Sequence, residues 1–123
     1  VQQIQENSKM LCWMNVLPEL NHNELVGWKD RRDDLAVVFF SSPLDHGRTA
    51  LRSEITRKVV ETCCDRILSL NGHATDPWLQ TFLWIHLGDW LSVELAALRQ
   101  VDPVEIGVID RLKAELAQWE DTP

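Results

Sequence analysis

Two short stretches hold side chains whose types and spacing suit proton chemistry. QENSK, residues 5–9, carries Glu6 with Lys9 three positions on, and PELNHNELVGW, residues 18–28, carries His22 between two asparagines. A carboxylate can take a proton from carbon when partial burial raises its pKa. Histidine has the unperturbed pKa nearest neutrality and suits the protons of hydroxyl groups. Asn21 and Asn23 supply amides able to hold an imidazole or a ligand's hydroxyls, while Pro18 and Gly27 fix or free the backbone on either side. A plainer reading stands beside each. Glu6 and Lys9 at i,i+3 make a surface ion pair of little energetic worth, and residues 18–28 make a helix-capping turn with a solvent-facing histidine.

The remaining histidines carry less. His86 falls inside an apolar helical segment, as a satisfied interior or interface group, and His46 and His73 lie in turns. The HNE triplet at 22–24 is not HExxH, and no CxxC or HxH spacing supports zinc, so no metal site is expected. No GxGxxG, phosphate-binding P-loop or GxSxG occurs either.

The chain has 123 residues, enough for one small domain. Its net charge of -7 argues against a nucleic-acid backbone or an anionic membrane as partner. Cysteines at 12, 63 and 64 are odd in number and irregular in spacing, which is no disulfide framework and fits a reducing cytoplasm. No signal peptide or membrane span is read. Six tryptophans with no tyrosine point to rings lying where a core meets a partner or a cleft. The opening VQQIQENSK lacks methionine and already has a helical pattern, as a shortened or processed chain would.

These side chains need elements to position them. Ile4, Met10, Trp13, Met14 and Leu17 read as one helical stripe, ended by Pro18. A polar connection follows, with Asn21 or Asn23 capping a short turn through Trp28, and KDRRDD at 29–34 is a solvated link. LAVVFFS at 35–41 reads as a strand covered on both faces, hence parallel. Residues 49–64 are helical, with Leu51, Ile55, Val59 and Cys63 along the stripe, and RILSL at 66–70 gives a second strand. Asp76-Pro77 starts a helix that runs to about Arg99 and is apolar nearly all round, so both of its sides should be covered. Asp102-Pro103 with Glu105 as a capping box starts the last helix, through Val108 or Ile109, Leu112, Leu116 and Trp119. The order predicts a three-layer α/β fold with a parallel sheet. Two strands make a small sheet for so much apolar helix, which predicts further strands upstream or a partner subunit.

Four segments, in order, resemble a known family. QENSK (5–9), LPELNHNELVGW (17–28), LGDWLSVELAALRQVDP (87–103) and IDRLK (109–113) are similar to the C-terminal region of the bacterial and archaeal bifunctional phosphoglucose/phosphomannose isomerases. Typical forms there read close to INENAK, PELNHNE, GDFVSVYLALLRGVDP and IDRLK. Here Gln5 and Ser8 replace an asparagine and an alanine, and Glu94 and Gln100 replace a tyrosine and a glycine. The resemblance implies a partial SIS (sugar isomerase) domain over 1–123. The opening strands of that domain, with their Ser/Thr phosphate loop and an arginine, are then expected upstream, together with a first SIS domain.

It further implies interconversion of glucose 6-phosphate or mannose 6-phosphate with fructose 6-phosphate, without metal or organic cofactor. Glu6 falls on the family's base and His22 on its ring-opening histidine, contributed across a dimer interface. Lys113 falls on a lysine that assists at the ring oxygen, whereas read alone it is a surface lysine. The partners implied are a sugar phosphate and either a second copy or the upstream SIS domain. A non-catalytic sugar-phosphate-binding module and a dimerisation piece built on the tryptophan-rich helix are the alternative readings.

Overall fold

The computed structural model describes residues 1–119. In chain order the elements are α1 (Gln2–Ser8), a 3-10 turn (Glu19–His22), α2 (Glu24–Gly27), β1 (Val37–Ser41), α3 (Gly47–Val60), β2 (Ile67–Asn71), α4 (Pro77–Arg99) and α5 (Gly107–Leu116). They fall into two compact units. One is Met14–Trp84, and the other combines Val1–Trp13 with the chain from Ile85 onward.

The first of these units holds the sheet. β1 and β2 pair in parallel, with Val37 opposite Ile67 and Ser41 opposite Asn71, and α3 makes the crossover. Parallel pairing needs such a crossover, because a two-residue turn cannot return the chain to the same end of the sheet. The chain is therefore α/β, with a small parallel sheet flanked by helices, and both expected strands are found within two residues of their positions.

Charges hold one end of the sheet and a glycine the other. In the 29–34 link, Arg31 pairs with Asp33 and Asp65, and Arg32 with Asp34. The hydrogen bond from the Arg32 guanidinium keeps the Asp34 carboxyl below its ordinary range. The Arg32 amide donates to the Cys63 carbonyl at 2.8 Å, so this solvated segment is also tied down. At the far end, the Gly72 amide donates to the Ser41 carbonyl at 2.7 Å, and the buried Gln80 side chain accepts from the Ala74 amide at 3.0 Å. A Cβ at Gly72 would strike that Gln80 amide, so glycine fits the close approach.

Burial differs from expectation on both α3 and β1. Along α3 the inward row is Arg52, Thr56 and Val60, whereas Leu51 and Ile55 are exposed, and the helix stops at Val60 with Cys63 in the turn beyond. The reason is a polar anchor: Thr56 and Arg52 both bond the Asn21 side chain. In β1, Val37 and Phe39 are half-buried while Val38 and Phe40 are exposed, so the strand is not covered on both faces. The Phe40 ring meets the edge of Trp84 at 5.0 Å between centroids, in the T-shaped geometry aromatic pairs favour.

α4 starts as the Asp-Pro signal requires, with the Asp76 carboxylate accepting from the Leu79 amide at 2.8 Å. It ends at Arg99, and Gln100 follows at φ 56°. Expected to be covered all round, α4 instead turns its small and polar residues inward. Gln80, Ser92 and Ala96 are buried, while Trp78 and Trp90 are 74% and 58% exposed. Among the described residues, Trp84 and Leu95 are half-buried and most of its other large apolar side chains are left exposed. No helix among them is long and apolar enough to cross a membrane.

Two helix boundaries also move. α1 stops at Ser8 because Lys9 takes the left-handed conformation at φ 54°, so Met10 to Leu17 continue no helical stripe. At the other end, Asp102 accepts from the Val104 amide and Glu105 from the Gly107 amide, each two residues on. These contacts make a turn in place of a capping box, and α5 runs from Gly107 to Leu116, short of Trp119.

The cap on α4 can be tested directly. Asp76→Ala should lower stability by about 1 kcal/mol. That loss should appear as a lower urea midpoint at unchanged slope.

Candidate functional site

Glu6 is the fifth residue of the seven-residue α1, a helix whose wall is amide-rich. With Gln2, Gln5 and Ile109 it lines an open cleft of about 290 Å³. Gln2 lies four residues before Glu6 and so shares its face of α1. Gln5 is held from below, its amide donating to the Cys12 carbonyl at 2.8 Å. Side-chain bonds to α4 fix α1: Asn7 donates to the Ser92 hydroxyl at 2.8 Å, and Gln3 donates to Asp89. A Cβ on Gly88 would come within 2.8 Å of the Gln3 amide oxygen, so the glycine admits this approach.

Lys113 stands on α5 four residues after Ile109, one turn further along the same face. Lys113 is not among the residues that line the cleft. Both Glu6 and Lys113 are exposed. The burial invoked for a basic Glu6 is not supplied by the described residues.

The expected Glu6–Lys9 ion pair does not form. The Lys9 ammonium donates instead to three backbone carbonyls, those of Glu6 at 2.6 Å, of Glu105, and of Pro103 at 3.5 Å. A non-glycine residue in the left-handed region costs about 1–2 kcal/mol, which charge-assisted bonds of this kind can offset.

His22 belongs to the other unit, at the end of the 3-10 turn, with its ring exposed. Its neighbours do hold the loop, but not through the imidazole. Asn21 donates to the Thr56 hydroxyl at 2.8 Å and accepts from Arg52 at 3.2 Å. Asn23 caps α2 by accepting from the Glu24 amide at 2.6 Å, and it donates to Glu19 at 2.8 Å. The amides thus tie the turn to α3 and cap α2, and among the described residues the His22 ring has no hydrogen-bond partner.

Of the other histidines, His46 caps α3 by accepting from the Arg48 amide at 3.2 Å. His86 accepts from the Trp90 indole at 3.2 Å and is exposed, so its partner is local and it is not an interior group. No three His, Cys, Asp or Glu side chains converge as a metal set among the described residues. Sequence reasoning missed Gln2 and Gln5 as cleft walls, although the four-residue spacing from Gln2 to Glu6 was there to read. It also missed Lys9, whose left-handed backbone has no signature in the residue types.

The β-α-β unit with its surrounding helices makes this an α/β protein, one that presents a carboxylate beside a cleft and a histidine on an anchored turn. The family model described as "Bacterial phospho-glucose isomerase C-terminal SIS domain" matches residues 1–116, and the chain belongs to that family. It is 37% identical over 116 residues to the bifunctional phosphoglucose/phosphomannose isomerase of Aquifex aeolicus, covering 93% of this chain and 36% of that protein. It is 36% identical over 122 residues to the protein of the same name in Caldicellulosiruptor bescii, covering 97% and 36%. The Thermoplasma volcanium protein of that name is 36% identical over 117 residues, covering 94% and 37%. The chain thus spans little more than a third of the length of these curated relatives. No solved structure matches it.

The anchoring of the histidine turn yields a test. Thr56→Val keeps the volume but removes the hydroxyl that accepts from Asn21, leaving a half-buried amide unsatisfied. Stability should fall by about 1–3 kcal/mol. Amide hydrogen exchange over 19–23 should accelerate more than exchange in β1.

Proposed function

We propose that this chain works as the C-terminal part of a longer aldose–ketose isomerase, with a first SIS domain and the opening strands of the second supplied upstream. Its substrates are glucose 6-phosphate and mannose 6-phosphate, interconverted with fructose 6-phosphate in the cytoplasm. Support comes from membership of the SIS family and from the names of the relatives. The observation that carries the reading is Glu6, on the family motif, lining an open cleft between carboxamides.

In this reading the Glu6 carboxylate takes the proton from C2 of the open-chain aldose while O1 is protonated, giving a cis-enediol. Returning the proton to C1 as O2 loses its own yields the ketose. Protons move and no hydride leaves, so the step requires no redox cofactor. His22 and Lys113 serve the milder task of ring opening, which delivers a proton to the ring oxygen and removes one from the anomeric hydroxyl. Gln2 and Gln5 carry both donors and acceptors and suit the sugar's hydroxyls. The phosphate is held by upstream residues, and the exposed apolar face of α4 is covered by the upstream domain or by a second copy.

Glu6→Gln, made in the full-length polypeptide, keeps the size and removes the base. Turnover should fall by roughly 100-fold to 10,000-fold, the range general-base catalysis contributes. Solvent deuterium incorporation at C2 should vanish with it. Exchange at the unmodified rate in folded protein would remove Glu6 from the mechanism.

His22→Ala should behave differently. Cyclic glucose 6-phosphate should suffer more than a substrate supplied in open-chain form. Equal loss on both would assign His22 to the fold of its turn.

A further inference from the structure

We propose that Lys9 is a positioning residue, clamping the start of α5, which bears Lys113, to the end of α1, which bears Glu6. The functional consequence rests on the reading above, in which Glu6 and Lys113 serve one site. Lys9 ends α1 in a left-handed conformation, φ 54° and ψ 34°, where glycine is the favoured residue. A helix stop alone would therefore select glycine. What lysine adds is its ammonium, whose three protons meet three carbonyls. One is that of Glu6, at 2.6 Å, and the other two, Pro103 and Glu105, lie 94 and 96 positions away.

The location of those carbonyls gives the clamp its purpose. The Glu6 carbonyl belongs to the residue whose carboxylate lines the cleft, and Glu105 stands two residues before α5 begins. Ile109, the far wall of the cleft, and Lys113 follow on the first two turns of that helix. α5 has no buried residue of its own, so little apolar packing fixes its position. A point-like ammonium suits carbonyls converging from two segments, whereas a planar guanidinium does not. The positive charge also lies favourably at the C-terminal end of α1.

Misplacing two reacting groups affects the transition state more than the binding of a phosphate held elsewhere. In the full-length enzyme, Lys9→Met and Lys9→Gly should each lower kcat at least about tenfold while KM stays within about twofold. Amide exchange across Gly107–Leu116 should accelerate at least about tenfold, with the last turns of α4 unchanged. Lys9→Gly is the discriminating variant, since it relieves the backbone and removes the clamp. Wild-type kcat in that variant would reduce Lys9 to a helix stop and overturn the proposal. So would a fall in kcat without faster exchange in α5.

If the unmodified enzyme proves to lack isomerase activity, the functional reading fails on its own. Exchange in α5 then decides the clamp alone, faster exchange supporting it and unchanged exchange overturning it. Should neither variant fold, the unmodified protein still answers. The Lys9 ammonium should keep a slowly exchanging nitrogen-15 signal at a pH where exposed Lys29 has lost its own, and loss of both together would overturn the clamp.

Discussion

The inward row of α4 is the constraint on which the rest depends. Gln80, Trp84, Gly88, Ser92 and Ala96 recur every four residues, the spacing of one helix face. Each does a distinct local task where a partner is seen. Gln80 closes the turn after β2, Trp84 supports Phe40, Gly88 admits Gln3, and Ser92 receives Asn7. Apart from Trp84 these are small or hydrogen-bonding residues, and a face built from them can approach closely but buries little apolar area. Most of the large side chains of α4 consequently point away from the chain's own interior.

That arrangement explains where reading the sequence succeeded and where it failed. The first strand was legible because a run of β-branched and aromatic residues bounded by charge has few other solutions, the second because RILSL is a short run before the NGH turn, and the Asp76-Pro77 start because its chemistry is local. Burial was not. Hydrophobic periodicity assigns apolar residues to the inside, yet Leu51 and Ile55 lie outside while Thr56 and Arg52 turn inward to an asparagine far off in sequence. An inward face chosen by hydrogen bonds leaves no hydrophobic stripe to read.

The candidate site divides in the same way. Glu6, His22 and Lys113 could be named from motif resemblance, but the groups holding them could not. The Asn21–Thr56 bond joins residues 35 positions apart, and the Lys9 contacts span nearly the whole chain. Such partners are set by tertiary approach, which local residue types do not encode. The stop at Lys9 misled the reading of α1 for the same reason, since the lysine's left-handed backbone is stabilised by carbonyls that a helical pattern cannot reveal.

In the proposed reading, Glu6 connects the surplus apolar surface to chemistry. A carboxylate in contact with water is a weak base toward carbon, and removing water is the physical means of strengthening it. The cleft beside Glu6 is open, and its one apolar wall, Ile109, belongs to a helix whose Val108, Leu112 and Leu116 are exposed as well. A surface laid over that helix would bury apolar side chains and narrow the cleft in one movement. If Glu6 serves as proposed, assembly and closure of the site would then be coupled, because the apolar area buried on α5 offsets the cost of excluding water from the cleft.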